Sequence, residues 1–173
     1  MITVSSKQLT SSIEKNTEIS INHQKLIDAT IETIAKRGLA DTTISHVAKQ
    51  AKVSQGYANF RFKSKENLLL SSLQFLSDEY KRSWQKIFED EDLDPIDRLI
   101  KICENDFSKK IANRNKISVW IAFYSEVKFR PSYLSVCQKQ DDIYLQQMEK
   151  LIDEINVIAN QHSLSAVEIS ESY

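Results

Sequence analysis

Apolar residues recur along this chain at intervals of three and four, the period that lines them up on one face of an α-helix. From Asn22 onward, Ile27, Thr30, Ile31 and Ile34 follow that period with Leu26 and Ala35 beside them, and Lys36-Arg37-Gly38 closes the run. Basic residues in a last turn, followed by a glycine that takes the left-handed cap without a Cβ penalty, predict a helix stop. Thr43 is placed to cap a short helix from Ile44 to about Ala51, with Val47 and Ala48 inward. Ser54 does the same for Gln55 to about Phe62, and Ser64 for a much longer helix from Lys65 to about Phe88. That long helix has the cleanest stripe: Leu69, Leu73, Leu76, Tyr80, Trp84 and Ile87.

Asp94-Pro95 restarts the pattern, carboxylate as cap and proline at the first helical position, with Ile96, Leu99, Ile100, Cys103 and Phe107 as the expected apolar face. A helix around Asn113 to Phe129 carries Ile117, Trp120, Ile121, Tyr124 and Val127. Pro131 opens another, striped by Cys137, Tyr144, Met148, Leu151, Ile155 and Ile158, and Ser163 is placed to cap a last one. Residues 1–20 are Ser/Thr/Glu/Lys-rich without a period and read as a flexible arm. The expectation is an all-α protein of seven or eight helices, the first three short.

Composition sharpens this by exclusion. The 173 residues include only two glycines and two prolines, too few for a Gly-rich phosphate cradle or for the turns of a multi-stranded sheet. Cys103 and Cys137 form no C-x-x-C pair, and His23, His46 and His162 have no ligand spacing, so no metal, cofactor or disulfide framework is expected. With no nucleophile–base pair at local spacing either, the chain does not read as an enzyme and has no candidate catalytic residue. The polar N-terminal stretch lacks the apolar segment of a signal peptide, and no apolar run approaches the roughly 20 residues that span a bilayer. A cytoplasmic protein with no membrane partner is the expectation.

Charge becomes informative once it is located. The formal net charge is −1, but residues 1–65 hold ten Lys/Arg against five Asp/Glu, whereas residues 66–173 hold 13 against 19. Residues 42–65 carry Lys49, Lys52, Arg61, Lys63 and Lys65 with no acidic residue. A basic cluster on two short helices joined by a tight turn is the electrostatic footprint of a helix-turn-helix, although a solvated basic face gives the same composition.

From Leu26 to Leu70 the sequence reads LIDATIETIAKRGLADTTISHVAKQAKVSQGYANFRFKSKENLLL. This segment closely resembles the DNA-binding domain of the TetR family of transcriptional regulators, through LIDAT, the KRG stop, the TTI start, VAKQA, VSQG, Phe62 and Ser64-Lys65-Glu66. The resemblance implies a three-helix helix-turn-helix domain over residues 21–66 and a helical effector-binding and dimerisation domain over 67–173. It further implies a homodimeric repressor released from double-stranded operator DNA by a small molecule. The rival reading is a helical adaptor that binds protein only.

The resemblance puts the helix that begins near Gln55 into the major groove, where base edges differ. Gln55, Gly56 and Tyr57 then face the bases: the Gln55 amide suits adenine and the Tyr57 ring a thymine methyl. Glycine costs about 1 kcal/mol relative to alanine inside a helix, so Gly56 allows either close approach to DNA or tight packing of the turn. Thr43, Ser45 and Lys65 match phosphate-touching positions, which set register and carry no sequence information. His46 lies beside them, and Lys7 and Lys15 in the arm are candidates for the minor groove.

Three positions depart from the family pattern. Asn59 stands where a tyrosine is common, Arg61 stands after Phe60 where both positions are often aromatic or His, and Lys52 replaces a turn glycine. Arg61 suits either the missing phosphate contact or a guanine edge. If the turn needs a left-handed residue there, Lys52 carries strain of about 1 kcal/mol or more.

Beyond Leu70, Val119-Trp120-Ile121-Ala122-Phe123-Tyr124 followed by a proline-initiated helix is similar to the choline-responsive repressors of betaine synthesis. That likeness implies a choline-like effector and makes Trp84, Phe107, Trp120, Phe123 and Tyr124 candidate pocket residues, aromatic rings that cage a quaternary ammonium or simply core. The family dimerises through two helices near its C-terminus, and a chain ending at Tyr173 stops where the first of them should be under way: either the sequence is truncated, or dimerisation uses another surface.

Overall fold

A computed structural model describes the backbone of residues 6–170 and the side chains of residues 20–160. Among the described residues there are seven α-helices: α1 (Ser6–Arg37), α2 (Ile44–Ala51), α3 (Gln55–Phe62), α4 (Lys65–Phe88), α5 (Pro95–Asp106), α6 (Arg114–Glu126) and α7 (Pro131–Ser170). The predicted boundaries rest on local chemistry, and that chemistry is present. Gly38 sits at φ +75° with its N–H on the Ile34 carbonyl at 2.7 Å. The Thr43 hydroxyl accepts from the His46 amide and the Ser54 hydroxyl from the Tyr57 amide, both at 3.1 Å. Asp94 accepts from the Ile96 and Asp97 amides at 2.8 and 2.9 Å, ahead of Pro95.

Two expectations change at the ends. The backbone from Ser6 to residue 20 is helical and continuous with α1, where the polar composition predicts an arm. The predicted contacts of Lys7 and Lys15 lie outside the described side chains. Ser163 falls inside α7, so the expected last helix is an extension of the one before it.

The helices divide into two compact units. One holds the residues up to Phe75 together with Arg114–Tyr133, so it contains α1 to α3, the start of α4, and α6. The sequence boundary near residue 66 falls inside α4. Leu26, Ile27, Thr30, Ile31 and Ile34 of α1 are buried with Val47 and Ala48 of α2, Ala58 and Phe62 of α3, and Leu69 and Leu73 of α4. α1 packs on both α2 and α6, where Val119 and Phe123 are buried. Its buried threonines are satisfied locally: Thr30 and Thr33 hydroxyls donate to carbonyls one turn back, each at 2.6 Å.

The second unit holds Leu76–Asn113 and the residues from Leu134 on. Trp84, Phe88, Ile102 and Leu151 are its buried core, with Tyr80, Leu99, Tyr144 and Met148 against them. Here the predicted face of α5 is corrected. Ile102 is fully buried, while Ile96, Ile100, Cys103 and Phe107 are exposed. Periodicity locates an apolar stripe, but the neighbours that cover a helix decide which stripe goes inside. Leu99 and Ile102 share the side that meets the Trp84 cluster.

Candidate nucleic-acid interface

Backbone chemistry brings α2 and α3 together. Lys52 ends α2 in the left-handed region, φ 56° and ψ 39°, and its N–H and that of Val53 return to carbonyls of the last turn. This is the turn in which a non-glycine residue is strained, as expected at Lys52. Lys63, at φ 65°, ends α3 in a second positive-φ turn. Ala58 and Phe62, four apart, fix the inner side of α3 in the core. That leaves Gln55, Gly56, Asn59, Phe60 and Arg61 exposed, with Tyr57 half-buried. Phe60 is 82% exposed, an aromatic ring presented outward on a helix with no acidic side chain.

Gly56 resolves one of the alternatives. Its φ is not in the positive region, and a Cβ built on it meets no atom within 4 Å. Tight packing of the turn therefore does not require this glycine. The open space lies on the side α3 turns outward.

The cations of this face divide by what they hold. Lys49, Lys52 and Lys63 are exposed. Lys65, at the start of α4, donates to the Ala40 carbonyl at 2.6 Å, so its ammonium is fixed beside the turn before α2. Thr43 caps α2 as an acceptor and keeps its O–H to donate, Ser45 is exposed, and His46 Nδ1 lies 3.0 Å from the Asp41 carbonyl. The Arg61 Nε donates to His23 Nδ1 at 3.1 Å, and the imidazole stacks on the Phe62 ring with centroids 5.3 Å apart. Burial, and then the Arg61 guanidinium, hold the His23 pKa below its ordinary value, which keeps the ring neutral and able to accept. Nothing in the local sequence marks His23, because its partner is 38 residues away.

A second polar centre lies in the same unit. Glu66 accepts from Arg130 at 2.8 Å and from the Tyr133 hydroxyl at 3.3 Å, and Arg130 also meets Glu126 at 3.4 Å. These groups line a cleft of about 440 Å³ with Leu39, Ala40 and Lys65. Burial and the Glu66 carboxylate push the Tyr133 phenol up to about 12. The start of α4 is thereby tied to the turn between α6 and α7.

The aromatic candidates separate. Trp84 is fully buried in the second unit, 5.5 Å from the Tyr144 ring and 5.6 Å from the Phe88 ring. Phe107 stands 85% exposed in that unit. Phe123 is buried edge-on to Tyr133 at 5.0 Å in the first unit, and Trp120 lies against Tyr124 at 6.1 Å. Sequence reasoning misses the group around Trp84. Tyr144 and Tyr80 both donate to Asp106, at 2.7 and 3.2 Å, and Asn105 donates to it at 3.3 Å. Burial and the carboxylate drive both phenols well above their ordinary range. The Trp84 indole N–H is buried without a hydrogen-bond partner. A small cleft of about 100 Å³ opens beside Trp84, Phe88 and Ile143.

Residues 26–71 match the family of bacterial regulatory proteins described as tetR. The chain is 30% identical over 122 residues to the HTH-type transcriptional regulator BetI of Stenotrophomonas maltophilia, covering 70% of this chain and 62% of that one. It is 33% identical over 129 residues to BetI 1 of Chromohalobacter salexigens, covering 72% and 61%. The chain thus spans about six-tenths of the length of these relatives. Among solved structures, a transcriptional regulator from Pseudomonas aeruginosa superposes with a TM-score of 0.70 at 18% identity, over 86% of this chain and 74% of that one. A regulator from Saccharomonospora viridis in complex with choline gives 0.68 at 20% identity, over 76% and 68%. These two likenesses establish the fold. Among the described residues no helix is long and apolar enough to cross a membrane.

Proposed function

We infer that this chain, whose residues 26–71 form a TetR-family DNA-binding domain, is a transcriptional repressor that binds operator DNA through α3 and is released by a small molecule. The observation that carries this reading is the outer face of α3: exposed, free of acidic side chains, and open at Gly56, where the backbone can approach a groove. Gln55, Gly56 and Tyr57 face base edges, and Asn59 and Phe60 extend that surface. Thr43, Ser45 and Lys65 flank it and meet phosphates, and Arg61 meets a phosphate or a guanine edge. Two copies are needed to place two such helices in successive major grooves, about 34 Å apart, so the working form is a homodimer.

The effector is an organic cation of the choline type. The likeness to a regulator solved with choline supports this, as does the chemistry around Trp84. Ring faces of Tyr80, Trp84, Phe88 and Tyr144 attract a quaternary ammonium, Asp106 supplies the countercharge, and the unpaired Trp84 N–H is left for an acceptor on the ligand. Of the five aromatics named from sequence, Trp84 belongs to this cluster; Phe107 stands exposed in the same unit, and Trp120, Phe123 and Tyr124 belong to the first unit. An effector acts by its differential affinity for the DNA-competent and DNA-incompetent states.

Selection of duplexes from a randomised pool, followed by affinity measurement against salt, tests the DNA reading. A log–log slope near −0.9 per phosphate neutralised is expected. No selected sequence at low salt overturns it. Calorimetric titration with choline tests the effector separately: heat and a thermal shift that Trp84→Leu abolishes are expected, and no heat removes the organic cation while leaving the DNA reading standing.

A further inference from the structure

We propose that His23 is a positioning residue for DNA recognition: it holds Arg61 by its Nε so that the two terminal guanidinium nitrogens point outward as a preset fork for a pair of acceptor oxygens or nitrogens on DNA. The inference rests on the reading of α3 as the recognition helix. Its observations are independent of that reading. Arg61 Nε lies 3.1 Å from His23 Nδ1, and the imidazole is itself clamped flat against Phe62, with an interplanar angle of 23°. Phe62 is 4% exposed, so the half-buried imidazole is seated on a core side chain. Arg61 is exposed, on the last turn of α3.

The chemistry of the pair fixes its direction. Arginine offers five N–H donors in a rigid planar fork and accepts nothing. With Nε on the imidazole, the end-on edge of the guanidinium, one N–H from each terminal nitrogen, is left for bidentate contact with a phosphate or with the O6 and N7 edge of guanine. A long side chain loses rotamer freedom when it binds. An arginine already anchored through its Nε and the Phe62 stack has lost part of that freedom before DNA arrives. His23 touches no DNA in this scheme; it acts through Arg61.

Two substitutions separate anchoring from packing. His23→Phe keeps a ring to stack on Phe62 and removes the acceptor, whereas His23→Asn keeps an acceptor at the place of Nδ1 and removes the ring. Affinities are measured on the duplex selected by the parent chain. Arg61→Ala is expected to weaken binding and, if its acceptors are phosphate oxygens, to reduce the salt slope by about 1. If they belong to guanine, preference at one base position is lost instead. His23→Phe is expected to weaken binding about threefold to tenfold, the penalty of ordering one long side chain. His23→Asn should restore most of that, and His23→Phe added to Arg61→Ala should cost nothing further.

The inference is overturned if His23→Phe binds like the parent, if its loss adds in full to that of Arg61→Ala, or if Arg61→Ala changes neither slope nor preference. Failure of the parent to select any duplex overturns the DNA reading itself, an outcome distinct from these three. Thermal unfolding of each variant confirms that the compared proteins are folded.

Discussion

Replacing Gly56 by alanine should stabilise the free protein and damage its binding to DNA, a pair of opposite effects that few other readings of α3 produce. Gly56 is the second residue of α3, its φ is ordinary for a helix, and a Cβ there meets nothing within 4 Å. The methyl therefore adds no strain, and the change removes the backbone freedom of glycine from the unfolded chain. The gain is about 0.5–1 kcal/mol, which for a chain of this length raises the unfolding midpoint by roughly 2 °C. On DNA the same methyl occupies the layer between helix backbone and base edges. A loss of about tenfold, equivalent to roughly 1.4 kcal/mol, is expected. Differential scanning fluorimetry reads the first effect and fluorescence anisotropy on the selected duplex reads the second. Unchanged affinity would show that the first turn of α3 does not approach the groove. A lowered midpoint would show that the space around Gly56 is not open.

Other outcomes follow from particular contacts. Lys52→Gly relieves a left-handed lysine at φ 56° and should stabilise the chain by about 1 kcal/mol, read by urea unfolding, while weakening DNA binding through the lost charge. An unchanged midpoint would mean that the turn carries no strain. Burial, with Asp141 nearby, pushes the Cys137 thiol up to about 11, whereas Cys103 is exposed, so an aromatic disulfide reagent at neutral pH should titrate one thiol per native chain and two after unfolding. His23 has a lowered pKa, so the native chain binds fewer protons than the unfolded one. Stability should fall as pH drops from its ordinary value of 6.5 through the lowered value. His23→Phe should flatten that part of the profile, and an identical profile in both proteins would count against it.

Much of the fold, and the acid-free basic segment that holds the candidate site, are legible in the sequence. Gly38, Thr43, Ser54, Asp94 and Pro95 stand where helix ends were predicted, because a cap is a bond between residues two to four apart. The stripe from Leu69 to Trp84 was equally plain. The inner face of α5 was not: Ile96, Ile100 and Cys103 are as apolar and as regularly spaced as Leu99 and Ile102, and only the position of Trp84 and its neighbours selects between them. The aromatic candidates divide between the two units, which their spacing does not reveal. Trp84 packs with Tyr80 and Phe88 of α4 and Tyr144 of α7, and Tyr80 and Tyr144 meet Asp106 at the end of α5.

What this sequence determines by itself is the run of helices, their caps, the left-handed turn at Lys52, and the acid-free basic segment from Thr42 to Lys65. Each is set by energies acting within one or two helical turns. The tertiary structure decided which apolar stripe of α5 is buried and that Gly56 faces open space. It also decided that Arg61 is held by His23 across 38 residues and that Glu66 meets Arg130 across 64. Those pairings depend on where whole helices come to rest, which many side chains settle together and no short stretch of sequence encodes.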